Sequence, residues 1–302
     1  MASTNYSETK QNTSNELRDS DLSSALVAKI VRGLGNNVAI NDNTNPAHVL
    51  TPSDIHDKDL VFSNHSGAVN LNAILASDIT KLDAIIFNSN DGVALTMNNG
   101  AGAAAFKAWI VTSGGDDTIK LSGSGVKVSS GEGNDSIITG NGNDSIDAGA
   151  GNDSISSGSG SDSITAGSGN DTINSGSGND TINTGSGNDS VNAGVGKDSV
   201  VIGSGNDTVV AGNGDDIVKL DRGFTGNANI DGGLNVDTAD FRNVDIFDAA
   251  KSGGKVMVTL MDHSVITVAS FEKFIYDSNG TDSGGKIITV GVNDFVNNDF
   301  IA

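Results

Sequence analysis

Ala166-Gly167-Ser168-Gly169-Asn170-Asp171-Thr172-Ile173-Asn174 is one copy of a nine-residue unit with Gly at positions two and four, Asp at six and a β-branched apolar residue at eight. The same phase carries Asp135, Asp144, Asp153, Asp162, Asp171, Asp180, Asp189, Asp198, Asp207 and Asp216 through residues 130–219 without a slip. Position eight gives a second unbroken row, from Ile137, Ile146, Ile155, Ile164, Ile173 and Ile182 to Val191, Val200, Val209 and Val218. A Gly- and Asn-rich disordered linker would share this composition, but it has no reason to keep Ile or Val at every eighth position.

Two Gly flanking one residue suit a sharp turn with positive φ, and a stretch such as Thr172-Ile173-Asn174 suits a short strand with only its middle side chain pointing inward. Two units, eighteen residues, then close one coil of a solenoid with a thin core of one Ile or Val per unit. Such burial alone cannot offset the entropy of fixing nine backbone residues. Coils stack at roughly 4.8 Å, so Asp residues eighteen apart lie over one another and repel by about 1 kcal/mol per neighbour even in water. A cation has to supply the missing stabilisation. A hard divalent ion that takes six or more oxygens from carboxylates and turn carbonyls fits the chemistry.

Thr112-Ser113-Gly114-Gly115-Asp116-Asp117-Thr118-Ile119-Lys120 is an earlier copy in the same phase, whereas residues 121–129 keep Val128 and have Val126 at the Asp position. The pattern G-G-x-G-x-D-x-U-x over residues 112–219 resembles the repeats-in-toxin (RTX, hemolysin-type calcium-binding) family. The resemblance implies an all-β chain folded as a right-handed parallel β-roll, a calcium-bound β-solenoid, with ions between successive turns on the same edge. Carried onto this chain, one edge holds Asp117, Asp135, Asp153, Asp171, Asp189 and Asp207, and the other Asp144, Asp162, Asp180, Asp198 and Asp216. Their intervals imply about nine Ca2+ ions, with none for the turn at Val126. Nine divalent cations would offset most of the formal net charge of −21.

Around the roll, the reading divides the 302 residues into a mobile polar tail at 1–20, an N-terminal cap with calcium-free β coils at 21–111, the roll at 112–219 and a C-terminal β cap at 220–302. Leu22, Leu26, Ile30 and Val31 fall on one face of a short helix predicted over 21–34. The runs Leu82–Phe87 and Val93–Met97 read as β coils. In the last third, 255–261, 265–268 and 271–276 read as strands of an aromatic-rich cap over the final coil. Gly232-Gly233-Leu234-Asn235-Val236-Asp237 resembles a degenerate terminal repeat, but Asp237 is out of register with Asp216, so it is not counted among the ligands.

The acidic balance argues against nucleic acid, and no run of eighteen apolar residues marks an integral membrane segment. The absence of Cys suits a protein exported unfolded and stabilised by metal. There is no secretory signal at the start, while Asn298-Asp299-Phe300-Ile301-Ala302 resembles the tails of type I secretion substrates; together with the repeats it implies a secreted, extracellular or cell-surface protein that engages the type I secretion machinery. Neither an H-E-x-x-H helix nor a G-x-S-x-G elbow is found, and His48, His56, His65 and His263 are scattered. The expected function is therefore noncatalytic: a calcium-binding structural protein that self-associates as a surface-layer or matrix component, with cell-surface polysaccharide as a further partner. Two alternatives stay open. Outward rows such as Ser154, Thr172, Ser190 and Thr208 suit an ice-binding or adhesive module, and fold analogy allows a small membrane-active RTX protein.

Overall fold

The computed structural model describes residues 38–41, 60–63, 67–70, 84–87, 92–97, 109–112, 114–277 and 287–291, and Ser113 alone interrupts the long stretch up to 277. All regular structure among them is β, and no helix among them is long and apolar enough to cross a membrane. The predicted helix over 21–34, the polar tail at 1–20 and the terminal residues 298–302 lie outside the described residues. The chain divides into two compact units, residues 1–148 and 149–302.

In the first unit, successive strands alternate between two parallel ladders. One runs Val38–Asn41, Leu60–Ser63, Ala84–Phe87, Trp109–Val111 and Lys127–Glu132; the other runs Gly67–Asn70, Val93–Met97, Thr118–Ser124 and Ser136–Asn141. The strands in Leu82–Phe87 and Val93–Met97 thus belong to coils of the same solenoid. Their coils are longer than those of the repeats: Leu60 pairs Ala84 and Ala94 pairs Thr118, whereas Thr118 pairs Ser136.

In the second unit the eighteen-residue pitch is regular. Ser154–Ser159, Thr172–Ser177, Ser190–Val195 and Asp207–Asn213 form one parallel ladder, and Ser163–Ser168, Thr181–Ser186, Ser199–Ile202 and Ile217–Leu220 the other. The pitch then lengthens once, to Thr208 with Asn229 and Ile217 with Thr238. Both ladders end in antiparallel pairing. Ala228–Leu234 pairs Val265–Ala269, which is followed in the sheet by Lys255–Leu260 and Ile246–Ser252, and Thr238–Asp240 pairs Lys273–Asp277, which is followed by Ile287–Gly291.

The repeat strands correct the sequence reading. Most are six residues long, not three, and they bury a second residue two places after each Ile or Val, a small one in most copies and Ile202 or Leu220 after Val200 and Val218. Ala166, Ser175, Thr184 and Ala193 occupy these positions and are fully buried. Strand alternation accounts for this, since Asp171, Ile173 and Ser175 all point the same way. The buried hydroxyls are satisfied along the solenoid: Ser157 donates to the Ser175 carbonyl at 3.0 Å and Ser175 to that of Ala193 at 2.7 Å.

The turns explain the two Gly. Gly167 and Gly169 have φ of 114° and 128°, and a Cβ at either would lie 1.9 Å from the carbonyl oxygen of Gly149 or Gly151 in the coil before. Backbone therefore stacks directly on backbone at the edges, with no room for a side chain.

Candidate metal centre

Each repeat strand is preceded by its Asp, whose side chain turns inward under the turn. Asp171 Oδ1 accepts the main-chain N–H of Asp153 at 2.8 Å, and the N–H of Asp171 donates to Asp189 Oδ1 at 2.9 Å. The same link joins Asp189 to Asp207 at 2.9 Å. On the other edge it joins Asp162 to Asp180, Asp180 to Asp198 and Asp198 to Asp216, each at 2.8 Å. Within the first unit, Asp135 Oδ1 accepts from Asp117 N–H and Asp144 Oδ1 from Val126 N–H, both at 2.8 Å. The structure thus arranges the aspartates in rows eighteen residues apart, and the copy lacking Asp places a buried Val126 at that position.

All eleven of these aspartates are 1–3 % exposed. One oxygen of each carboxylate is thereby removed from water, and in Asp117, Asp171, Asp180, Asp189, Asp198, Asp207 and Asp216 the second, Oδ2, is buried without a hydrogen-bond partner. An orphaned buried acceptor costs about 1–3 kcal/mol, and more when it is charged. Burial pushes the carboxyls of Asp117, Asp135 and Asp171 up to about 6 and those of Asp198 and Asp207 up to about 7, against the effect of the hydrogen bonds they accept. Asp189 and Asp216 are raised for the same first reason. Around Asp171, the carboxylates of Asp189 and Asp153 push in the same direction.

A dry row of carboxylate oxygens with no donors is the arrangement that a hard, oxygen-seeking divalent cation completes, so the donor set fits calcium. Such an ion would turn repulsion along the row into shared coordination. Among the described residues no three His, Cys, Asp or Glu side chains converge, so the remaining ligands would be main-chain oxygens or water. The outer residue of each turn, at position five, carries a second ladder that holds the turns in place. Asn152, Asn170 and Asn188 accept at Oδ1 from the N–H of Asn170, Asn188 and Asn206 at 2.7–2.8 Å. Lys197 keeps this backbone link, to Asn179 at 2.8 Å, and its exposed ammonium reaches Asp215 at 2.7 Å.

Residues 129–164, 165–200 and 203–225 match the family profile of the RTX calcium-binding nonapeptide repeat. These stretches are RTX calcium-binding nonapeptide repeats. Comparison with curated proteins finds no match. RTX repeats bind calcium and are typical of secreted proteins, and the β-roll they form is a structural calcium-binding element rather than a catalytic one.

The RTX reading of the sequence missed the role of Asp237. It is fully buried, its Oδ1 accepts the N–H of Asp216 at 2.9 Å, and its Oδ2 is orphaned like those of the repeats. The apparent loss of register comes from three extra residues in the turn Asp221–Gly226, which lengthen one coil to twenty-one residues: Gly226 stacks on the carbonyl of Gly205 just as Gly205 stacks on that of Gly187. Counting the turn insertion restores Asp237 to the row. The opposite edge stops there, because Ala228 pairs Asp207 in the aspartate position.

Proposed function

We propose that this chain is a noncatalytic, calcium-binding structural protein that leaves the cell unfolded through a type I secretion route, folds on calcium outside and self-associates at the cell surface or in an extracellular matrix. Asp117, Asp135, Asp144, Asp153, Asp162, Asp171, Asp180, Asp189, Asp198, Asp207 and Asp216 hold the ions, about nine across the repeats. The observation that carries the reading is the row of buried, donorless carboxylate oxygens, which makes the roll a poor fold without a cation and a good one with it. Cytosolic calcium is too scarce to fill weak extracellular-type sites, so the same row keeps the chain threadable inside the cell. Self-association is supported by apolar side chains left in solvent on the second unit, with Leu234 65 % and Met261 59 % exposed and Val195, Phe247 and Met257 exposed as well. Cell-surface polysaccharide is the ligand class expected for such a coat.

The test is sedimentation and electron microscopy of the purified chain with calcium and with chelator. Calcium-dependent ordered sheets or filaments are expected, and a strictly monomeric calcium form at high concentration would remove the self-assembly reading.

A further inference from the structure

We infer that the calcium row on one edge of the roll runs beyond the nonapeptide repeats into the C-terminal strands, adding two intervals, between Asp216 and Asp237 and between Asp237 and Glu272. The inference rests on the reading that the repeat aspartates hold calcium. In the row Asp162, Asp180, Asp198 and Asp216, each main-chain N–H donates to the carboxylate of the next coil. Asp216 continues the pattern into Asp237 Oδ1 at 2.9 Å, and the N–H of Asp237 donates to Glu272 Oε2 at 2.8 Å. Glu272 immediately precedes Lys273, the ladder partner of Thr238, so it occupies the position that an aspartate holds in the repeats of this row. Asp237 lies in a degenerate copy and Glu272 in none, and the stretch matching the family profile ends at residue 225.

Two further observations point to an ion. Asp237 Oδ2 is buried with no hydrogen-bond partner, although the residue is wholly enclosed. Gly232 is pressed against it: a Cβ there would lie 2.7 Å from Asp237 Oδ2 and 2.6 Å from the Ser270 carbonyl oxygen, too close for a side chain, so these two oxygens approach the same point. In most repeats this inward position carries Ala, Ser or Thr, such as Thr184 five residues before Asp189, and before Asp207 it carries Ile202. Here Gly takes that place, and a carboxylate oxygen and a main-chain oxygen close in on it from the same side. Glu272 adds a second carboxylate at the exposed side. Oxygen donors of two kinds and a dry orphaned carboxylate suit a divalent cation of calcium's type. Occupation of the last interval would tie the strand Lys273–Asp277 to the repeats, so the metal would lock the end of the solenoid as well as its middle.

The experiment is native mass spectrometry of the full chain at saturating calcium, with far-UV circular dichroism on the same samples. Glu272→Gln is expected to fold and to carry one ion fewer than the unsubstituted chain, and Asp237→Asn two fewer. Because Glu272 is exposed, the first variant keeps the test valid if the second folds poorly. An unsubstituted chain that holds calcium while both variants hold the same number would overturn the inference alone. A chain that holds none at any concentration would overturn the calcium reading of the repeats as well.

Discussion

The repeats at 154–220 and the segment at 238–276 belong to the same unit and share two ladders, yet they solve the problem of an interior in opposite ways. A repeat strand buries one Ile or Val, one small residue and one carboxylate, so much of its inside is polar backbone and charge. The later segment buries Phe241, Ile246, Val256, Val258, Leu260, Ile266, Phe274 and Tyr276, with Phe241 and Phe274 stacked at 6.3 Å between ring centroids. Apolar burial of that kind is a folding force in itself. On the proposed calcium reading the first region requires a ligand and the second does not, and the difference follows from what each puts under its turns.

The largest effect expected is therefore that of calcium removal. A chelated chain should lose most of its far-UV β signal, and the part that remains should come from the C-terminal segment. A chelated spectrum equal to the calcium spectrum would break the comparison, because the repeats would then stand unaided.

Next in size is the apolar side. Phe274→Ala removes a fully buried aromatic and should cost about 3–5 kcal/mol in thermal or denaturant unfolding of the calcium form. Its effect on the calcium midpoint of the repeats should be small by comparison. A large midpoint shift with little loss of stability would reverse the assignment of roles.

Protons should act on the repeats as a weak substitute for calcium. The folded carboxyls of Asp171, at about 6, and Asp198 and Asp207, at about 7, lie above the ordinary value of 3.8, so the folded roll binds protons more tightly than the unfolded chain does. The resulting stabilisation is fully present below the unfolded value and is lost as pH rises through the folded one. Calcium-free protein should accordingly gain β signal on acidification from pH 8 to 5, and calcium affinity should fall over the same window. A pH-independent calcium midpoint would show that the carboxylates do not hold the ion.

Position along a row sets the smaller effects. Asp171 has aspartates on both sides, whereas Asp207 has Asp189 on one side and Ala228 on the other. Asp171→Asn should raise the calcium midpoint on the order of tenfold, a change of ~1.4 kcal/mol, and Asp207→Asn by less. Equal shifts in matched titrations would argue against ions shared between neighbouring coils. Smallest of all should be Lys197→Ala, which removes only an exposed pair with Asp215.

Much of this was legible in the nine-residue period. The aspartates and the Ile and Val row are marked by chemistry distinct from their neighbours, so a fixed spacing exposes them. Ser157, Ser175 and Thr184 were not legible as interior residues, because small polar side chains carry no hydrophobic signal and become buried only through strand alternation. Asp237 was hidden by the three-residue turn insertion near Gly223. Glu272 was hidden further, since the antiparallel strands Ile246–Ser252, Lys255–Leu260 and Val265–Ala269 intervene before the chain returns to the row.

Hydrogen exchange read by mass spectrometry, with and without calcium, tests the central contrast most directly. The account predicts that amides of Thr172–Ser177 and Thr181–Ser186 are protected with calcium and exchange freely in chelator, while those of Lys255–Leu260 and Val265–Ala269 stay protected in both. Repeat amides that remain protected without calcium, or C-terminal amides that open together with the repeats, would contradict it.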